Sequence, residues 1–392
     1  MRIACQVFRA LSVAFSISAL AAASSELCAQ EAPIKVGVIL STTGPAASLG
    51  IPEKNTIPLL PKNIGGKAVE YIVVDDGTDT SNAVRNMRKL VTEDRVDIVI
   101  GSTVTPSTIA MTEIAFETRT PVVTLAAASV LINPVDEKRR WIFKTPQNDS
   151  MMAAAIIDYW VKAGVKTVGF LGFSDALGQS WLDEMKKQAP AKGVELVAVE
   201  RFARADTSVV AQILKLMAAK PEAIFIAAYG APAALPAKTL KERGYTGKVY
   251  QTHGVGNADF LKIGGKDVEG TILPLGPIVV ATELPDSNPI KEVALGYIKK
   301  YEAMYGAGTA SAFGGYAYDA GLLLEAAAPE ALKNAQPGTA EFRAALRDAL
   351  ENVKGLVTTT GVVTMSATDH LGLDERARLM AIIEDGKWKL AP

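Results

Sequence analysis

The chain has 392 residues, of which 49% are hydrophobic, so it can bury enough apolar area for two domains. Its 41 basic and 42 acidic residues nearly cancel and form no Lys/Arg block, which makes nucleic acid and anionic membrane surfaces poor partners. The only cysteines, Cys5 and Cys28, lie inside or beside the N-terminal leader. The mature chain therefore has no disulfide framework, and its stability must come from buried apolar area.

The first residues have the pattern of a secretory signal peptide. Two early arginines precede an apolar, Ala/Ser-rich run over 10–23, which is too short to cross a bilayer. Small residues continue to Ala29, so we predict a signal peptide over 1–29, cleaved after Ala23 or Ala29, and a periplasmic location. Cys28 follows Ser-Glu-Leu, and an acid and a leucine at these positions disfavour lipidation.

After the leader, short apolar runs alternate with amphipathic stretches. Continuous Val/Ile runs between helices are typical of parallel strands covered on both faces. The alternation restarts near residue 168, which predicts two α/β units joined near 143–149. The predicted strands are 34–40, 69–74, 96–101, 121–126, 168–173, 196–202, 223–229 and 248–252, and the predicted helices are 82–91, 106–117, 177–188, 208–219, 289–305 and 312–327.

Two regions depart from this alternation. Residues 51–64 should form the first helix, but Pro58 would remove an internal hydrogen bond, so we expect a kinked or short helix. The tail from 355 to 388 has the pattern of a β-hairpin, with Asp385-Gly386 as its turn.

The expected fold class is α/β, with two doubly wound lobes that have parallel central sheets and are joined by a three-segment hinge. The first lobe would contain 34–145 and 254–354, and the second would contain 146–253 and 355–392. Such lobes can close over a ligand by a hinge motion.

The segment 102–108 is the most informative loop, because ligands of open parallel sheets bind beyond the carboxyl ends of the strands. Thr105 suits a helix N-cap, and Pro106 suits the first helical position. The helix-start amides would favour an anion, and the hydroxyls of Thr105 and Ser129 could complete a carboxylate site without a basic side chain. An ordinary capped helix would have the same sequence pattern.

The two histidines differ in setting. His253, in Thr-His-Gly-Val-Gly-Asn, either packs at a crossover between the lobes or contacts the ligand. His370 lies in a polar part of the tail, and we expect a surface or turn residue there.

Catalytic signatures are missing from the sequence. It has no GxSxG, HExxH, CxxC or P-loop, and the loop over 41–50 is not a GxGxxG dinucleotide motif. No cluster of metal ligands stands out. We therefore expect no enzyme activity, no cofactor and no metal.

Six segments together resemble the periplasmic branched-chain amino-acid-binding proteins, the leucine/isoleucine/valine-binding type of the type I periplasmic binding fold. The order and spacing of these segments across the mature chain carry the resemblance. They are IKVGVILSTTGP (34–45), VVDDGTD (73–79), VIGSTVTPST (99–108), PVVTLAAAS (121–129), GVGNADFLKIGGKDVEGT (254–271) and GYAYDAGLLLEA (315–326).

The resemblance implies a carboxylate site that this chain retains. In that family a hydroxyl residue after the fourth strand holds the ligand carboxylate, and it aligns with Thr105. Backbone and hydroxyl groups that align with Ala127 and Ser129 complete the site.

The groups that hold the rest of an amino acid differ in this chain. Leu177 stands where the family has a tyrosine, and His253 stands where it has a glutamate. Leu49 stands where the leucine binder has an aromatic residue. Tyr229 lies at or beside a second tyrosine position of the family. A buried ammonium group without an acidic partner is costly. The predicted ligand is therefore an aromatic or short aliphatic acid without a required α-ammonium, with His253 donating to a distal polar group.

The resemblance also implies a role in transport. The protein would be a monomer that captures a small organic acid or amino-acid-like ligand and delivers it to the membrane permease of an ABC importer. An amide or small-molecule sensor of the same fold is the alternative, and an enzyme is the least favoured class. The predicted ligand-binding residues are Ser48, Leu49, Thr105, Ala127, Ser129, Leu177, Tyr229 and His253.

Overall fold

The computed structural model describes residues 32–392. The predicted signal peptide, both of its possible cleavage sites and the two cysteines lie outside these residues. Within the described part, no helix is both long and apolar enough to cross a membrane.

The Val/Ile-rich runs of the first half form a six-stranded sheet. Its strands are β1 (Ile34–Leu40), β2 (Asn63–Ile64), β3 (Lys67–Asp75), β4 (Ile98–Gly101), β5 (Val122–Thr124) and β6 (Ile142–Lys144). They lie in the order β2-β3-β1-β4-β5-β6, and all neighbours except β2 and β3 are parallel.

A second sheet has seven strands. The later strands of the chain are β7 (Thr167–Phe173), β8 (Glu195–Phe202), β9 (Ala223–Ala227), β10 (Lys248–Gln251), β11 (Ile272–Leu275), β12 (Leu356–Val357), β13 (Val362–Val363), β14 (Leu379–Glu384) and β15 (Lys387–Leu390). The order of the second sheet is β15-β14-β11-β10-β9-β7-β8, and β12 pairs with β13 separately. Strands β7 to β11 are parallel, and the antiparallel β14–β15 hairpin turns at Asp385-Gly386, where both residues have positive φ, as predicted.

Helices cover both sheets. They are α1 (Ala47–Thr56), α2 (Thr80–Thr92), α3 (Thr105–Thr118), α4 (Asp149–Lys162), α5 (Ala176–Gln188), α6 (Val210–Ala218), α7 (Ala234–Glu242), α8 (Ala258–Gly264), α9 (Pro289–Tyr305), α10 (Ala312–Leu332) and α11 (Ala340–Glu351). Helix α2 shows how local sequence forms them, because Asp79 caps its start and it buries Ala83, Met87 and Leu90 at helical spacing. The two mainly parallel sheets with flanking helices confirm the predicted fold class.

The chain passes between the sheets three times, but the predicted boundaries need correction. Strand β11 pairs with β10 and β14, so the chain leaves the second sheet after Leu275 and not at Gly254. The first helix starts at Ala47, earlier than predicted, and Pro52 lies inside it. It ends at Thr56, ahead of a 3-10 turn at Ile57–Leu59, so the predicted break near Pro58 is confirmed.

The tail after residue 355 contacts both halves. His370 is fully buried: its ring stacks on Phe143 with centroids 4.2 Å apart, and its Nδ1 lies 2.9 Å from the Ile142 carbonyl oxygen. Of the predicted surface or turn residue, the surface part was wrong, because the ring packs against β6, although His370 does follow a turn over 366–369.

One glycine in each half lets the helix that follows the first strand approach the end of that strand. A Cβ on Gly50 of α1 would lie 2.2 Å from the Ser41 carbonyl oxygen, and one on Gly178 of α5 would lie 2.0 Å from the Phe173 carbonyl oxygen. No side chain fits at these distances, so both glycines position a helix start at a strand end.

We expect Gly178→Ala to lower the free energy of unfolding by about 1–3 kcal/mol, because the added methyl group overpacks against backbone. Gly296 of α9 is a matched control, since nothing lies within 4 Å of a Cβ placed there. Gly296→Ala should raise stability by about 0.5–1 kcal/mol. Urea unfolding of both variants measures this, and midpoint shifts of the same sign would contradict the packing argument.

Asp319 of α10 holds the β12–β13 hairpin. Its carboxylate accepts hydrogen bonds from the Thr359 amide at 2.8 Å and from Thr360 Oγ1 at 2.6 Å. Burial raises the pKa of Asp319 from 3.8 to about 6, although these hydrogen bonds oppose the shift. The folded chain therefore retains a proton that the unfolded chain has already lost between these two pH values.

We expect Asp319→Asn to gain stability relative to the wild type as pH rises from 4 to 7. In the wild type the unfolded state ionises first, so its stability falls across this window by up to about 3 kcal/mol, whereas asparagine does not titrate. Denaturant unfolding of both proteins at pH 4 and pH 7 measures the difference, and a difference that is the same at both pH values would rule out the elevated pKa.

Candidate ligand site

A cavity lies between the carboxyl ends of the two sheets. Loops after β4 and β5 form one wall, and loops after β9 and β10 form the other, with further side chains from α5 and α10. Its lining residues are Leu49, Thr103, Val104, Thr105, Leu125, Ala127, Pro146, Leu177, Trp181, Tyr229, Thr252, His253, Gly254, Phe313 and Tyr316. This is where ligands of parallel α/β sheets bind.

The two halves touch at one edge of this cavity. The Ala231 amide donates to Ser48 Oγ at 3.3 Å. A Cβ on Gly230, which has φ of +65°, would lie 2.9 Å from Leu49 Cδ1. Leu49 lines the cavity, whereas Ser48 lies beside it and joins the halves.

Thr105 lies in the cavity wall and is 1% exposed. The predicted N-cap role was wrong by one position, since Val104 has the extended backbone of an N-cap and α3 begins at Thr105. The Val104 carbonyl accepts the Thr108 amide at 3.1 Å. The hydroxyl of Thr105 is therefore not used as a cap, and the first-turn amides have no intrahelical acceptor.

Of the other two residues predicted at the carboxylate, only Ala127 lines the cavity. The Ser129 amide donates to Asp149 Oδ1 at 2.9 Å, and its hydroxyl donates to the same oxygen. Asp149, the fully buried first residue of α4, also accepts from the Ser180 hydroxyl. The Ser129 hydroxyl therefore has a partner within the protein, and its contact with a ligand stays a prediction.

The second half contributes an apolar wall. Leu177 and Trp181 project from α5, and Tyr229 follows β9. The Tyr229 hydroxyl accepts from Arg204 Nη1 at 3.1 Å and donates to Asp175 Oδ2 at 3.4 Å. Because that hydroxyl already has two partners, Tyr229 mainly offers its ring to a ligand.

His253 lines the cavity and is 2% exposed. Neither ring nitrogen has a hydrogen-bond partner among residues 32–392. Burial, followed by the nearby charge of Lys144, lowers the pKa of His253 to about 3, so the ring is neutral at physiological pH. A neutral imidazole offers one donor and one acceptor, and leaving both unpaired in a buried site is costly.

Sequence reasoning missed three aromatic lining residues. Trp181 lies in α5, and Phe313 and Tyr316 lie in the first turns of α10. The Tyr316 hydroxyl donates to Gln147 Oε1 at 3.1 Å. Aromatic residues at helical spacing have the same pattern as a packed core, so nothing in the sequence separated them from it.

Two buried ionisable groups behind the cavity wall were also missed. Lys144, at the end of β6, is fully buried and donates to Asn148 Oδ1 at 2.7 Å and to the Ala127 carbonyl. Glu53 of α1 accepts from Thr103 Oγ1 at 2.5 Å, and burial raises its pKa well above the usual value. None of the lining residues that the structure describes is a lysine or an arginine, although Lys144 lies directly behind Ala127.

Comparisons with known proteins agree with this geometry. A family model described as a periplasmic binding protein matches residues 33–387. The chain is 25% identical over 362 residues to a Leu/Ile/Val-binding protein homologue from Brucella melitensis, which covers 90% of this chain and 92% of that protein. An extracellular ligand-binding receptor from Rhodopseudomonas palustris is 44% identical, with a TM-score of 0.90 over 92% of this chain and 100% of its own.

A more distant structure shares the fold. It is a solute-binding protein of an ABC transporter from Rhodopseudomonas palustris in complex with benzoate, 20% identical with a TM-score of 0.78 over 92% of this chain and 95% of that one. Since the family match spans nearly all described residues and the cavity lies between two parallel sheets, the chain belongs to the periplasmic binding protein family, with the type I fold of the branched-chain amino-acid type.

Proposed function

We propose that the protein is the periplasmic solute-binding component of an ABC importer and that it captures a small carboxylate without an α-ammonium, such as an aromatic or short aliphatic acid. The ligand is bound and released unchanged, and a membrane permease receives it. The observation that carries this proposal is the buried, unpaired imidazole of His253 in the cavity wall.

His253 occupies the position where the family resemblance calls for a glutamate. None of the lining residues that the structure describes has a carboxylate side chain. An α-ammonium group in this cavity would lose its water without gaining a negative partner, which costs several kcal/mol. The neutral ring instead suits a hydroxyl, carbonyl or other uncharged polar group of the ligand.

The opposite end of the ligand would lie at the start of α3. The Thr105 hydroxyl and the first-turn amides can donate to a carboxylate there, each at about 1.5–3 kcal/mol when the acceptor is charged. Leu49, Leu177 and Trp181 offer an apolar surface to the ligand body. Together these terms support an affinity near micromolar, or about −8 kcal/mol. That a protein of this fold binds benzoate adds support.

Closure follows from the placement of these groups. Thr105 belongs to the first half and His253 follows β10 of the second, so only the closed arrangement offers both to one ligand. Ligand binding then shifts the population towards the closed form, the form that would dock on the permease.

We expect refolded, ligand-free protein to bind benzoate, 4-hydroxybenzoate or a short aliphatic acid more tightly than it binds leucine. Isothermal titration calorimetry with this panel measures the preference. 4-Hydroxybenzoate tests the polar group opposite the carboxylate, which His253 would contact. Tight leucine binding with no response to the acids would refute the proposed ligand class.

We expect Thr105→Val to weaken acid binding by about ten- to one-hundredfold, because a hydrogen bond to a charged group is lost while side-chain shape is kept. Thr112→Val is a matched control on the same helix, since Thr112 Oγ1 donates at 3.0 Å to the Thr108 carbonyl and does not line the cavity. Equal affinities of the two variants for the tightest-binding acid would remove Thr105 from the site.

A further inference from the structure

We propose that Lys144 is the positive charge that selects an anionic ligand, and that binding of the anion is coupled to proton uptake by this side chain. The inference rests on the proposed function, because it concerns the same cavity and the same ligand class. It assigns Lys144 a positioning role through the Ala127 peptide rather than direct contact with the ligand.

The geometry places a buried ammonium group immediately behind the cavity wall. Lys144 is fully buried where the chain leaves β6 and crosses to the second half. Its Nζ donates to Asn148 Oδ1 at 2.7 Å and to the carbonyl of Ala127, a lining residue. An ammonium group has three N–H donors, and the third has no acceptor among the described residues.

Lys144 has no carboxylate in direct contact among residues 32–392. Asp149 is the nearby negative charge and raises the pKa of Lys144, but its oxygens accept hydrogen bonds from Ser129, Ser150 and Ser180. No carboxylate within residues 32–392 forms an ion pair with Lys144 at 4.0 Å or less. Its charge therefore lacks a direct counter-ion.

Two histidines also flank this side chain. His253 is neutral at physiological pH, so it adds no charge next to Lys144. The His370 carbonyl accepts a hydrogen bond from the Lys144 amide at 3.2 Å. The His370 ring stacks on Phe143, and its Nε2 lies 3.4 Å from Glu351 Oε1. Glu351 also forms an ion pair with Arg347 at 3.4 Å, and within residues 32–392 it forms none with Lys144.

Burial makes the protonation of Lys144 sensitive to a ligand charge. It lowers the pKa of Lys144 to about 7, while the negative charge of Asp149 opposes part of that shift. Near neutral pH the free protein is therefore a mixture of charged and neutral lysine. A carboxylate in the cavity favours the charged form, so anion binding should draw a proton from the buffer.

Calorimetry of the wild type tests this directly. The tightest-binding acid of the panel is titrated between pH 6 and pH 9 in phosphate and in Tris, whose ionisation enthalpies differ. We expect a buffer-dependent binding enthalpy that reports uptake of up to one proton, and an affinity that falls by up to about tenfold per pH unit above neutrality. The amide of the same acid, which is neutral, should bind without either effect.

Variants separate charge from packing. Lys144→Met should weaken binding of the acid by about ten- to one-hundredfold and abolish proton uptake, whereas Lys144→Arg should keep the charge but lose the pH dependence. Lys299→Met, an exposed site on α9, is the control for a change of net charge. Circular dichroism checks that each variant folds, and the wild-type measurement stands without them.

The outcomes distinguish the two proposals. Acid binding with no proton uptake, together with wild-type affinity and pH dependence in folded Lys144→Met, would overturn the role of Lys144 and leave the proposed function intact. Tight leucine binding with no response to any acid would overturn the proposed function, and the role of Lys144 with it.

Discussion

Desolvation is the constraint on which this site depends. Where the two halves meet, polar groups lose water and must find partners inside the protein or in a ligand. Asp149 finds several hydroxyl and amide donors, and Glu53 accepts a hydrogen bond from the Thr103 hydroxyl while burial raises its pKa. His253 and Lys144 are left with unused hydrogen-bonding capacity. Of these two groups, His253 lines the cavity and Lys144 lies behind it, so a ligand in the cavity could supply what they lack.

The same constraint explains why the site lies at these particular loops. In both halves a glycine lets the helix after the first strand start directly over the end of that strand, and α3 begins shortly after β4. Helix starts carry free amides, which need acceptors when they are buried. Bringing the carboxyl ends of two parallel sheets together therefore concentrates donors around one cavity, whose walls are otherwise apolar.

Local patterns in the sequence were sufficient for many of the strands and helices, but not for α4, α7, α8, α11 or β11. Strand and helix periodicity is local, and the loops after parallel strands converge by topology. Six of the predicted ligand-binding residues line the cavity, namely Leu49, Thr105, Ala127, Leu177, Tyr229 and His253. Long-range pairing was harder to predict. The membership of β11 in the second sheet depends on strands far away in the chain, which periodicity does not encode.

Buried polar groups were the least predictable part. Ser129 has a hydroxyl that could contact a ligand, but Ser129 donates hydrogen bonds to the carboxylate of Asp149, twenty residues later. His370 lies among polar residues and is nevertheless buried against Phe143. Lys144 ends an apolar strand, as many exposed lysines do, and only the crossover to the second half removes it from water. Each outcome depends on a tertiary contact that no local pattern specifies.

Because Lys144 has no direct counter-ion, the free energy of closing the two halves should depend on whether a carboxylate is in the cavity. The side chain of Lys144 bonds Ala127 of the first half and Asn148 at the start of the second, so it lies where the chain crosses between the halves. Closing over an empty cavity would bury that ammonium without a counter-ion, whereas closing over a carboxylate would supply one. Such a difference in free energy between the empty and the liganded closed states would let the ligand shift the hinge equilibrium towards the closed form. Selectivity for an anion and ligand-dependent closure would then have one origin, the same buried lysine.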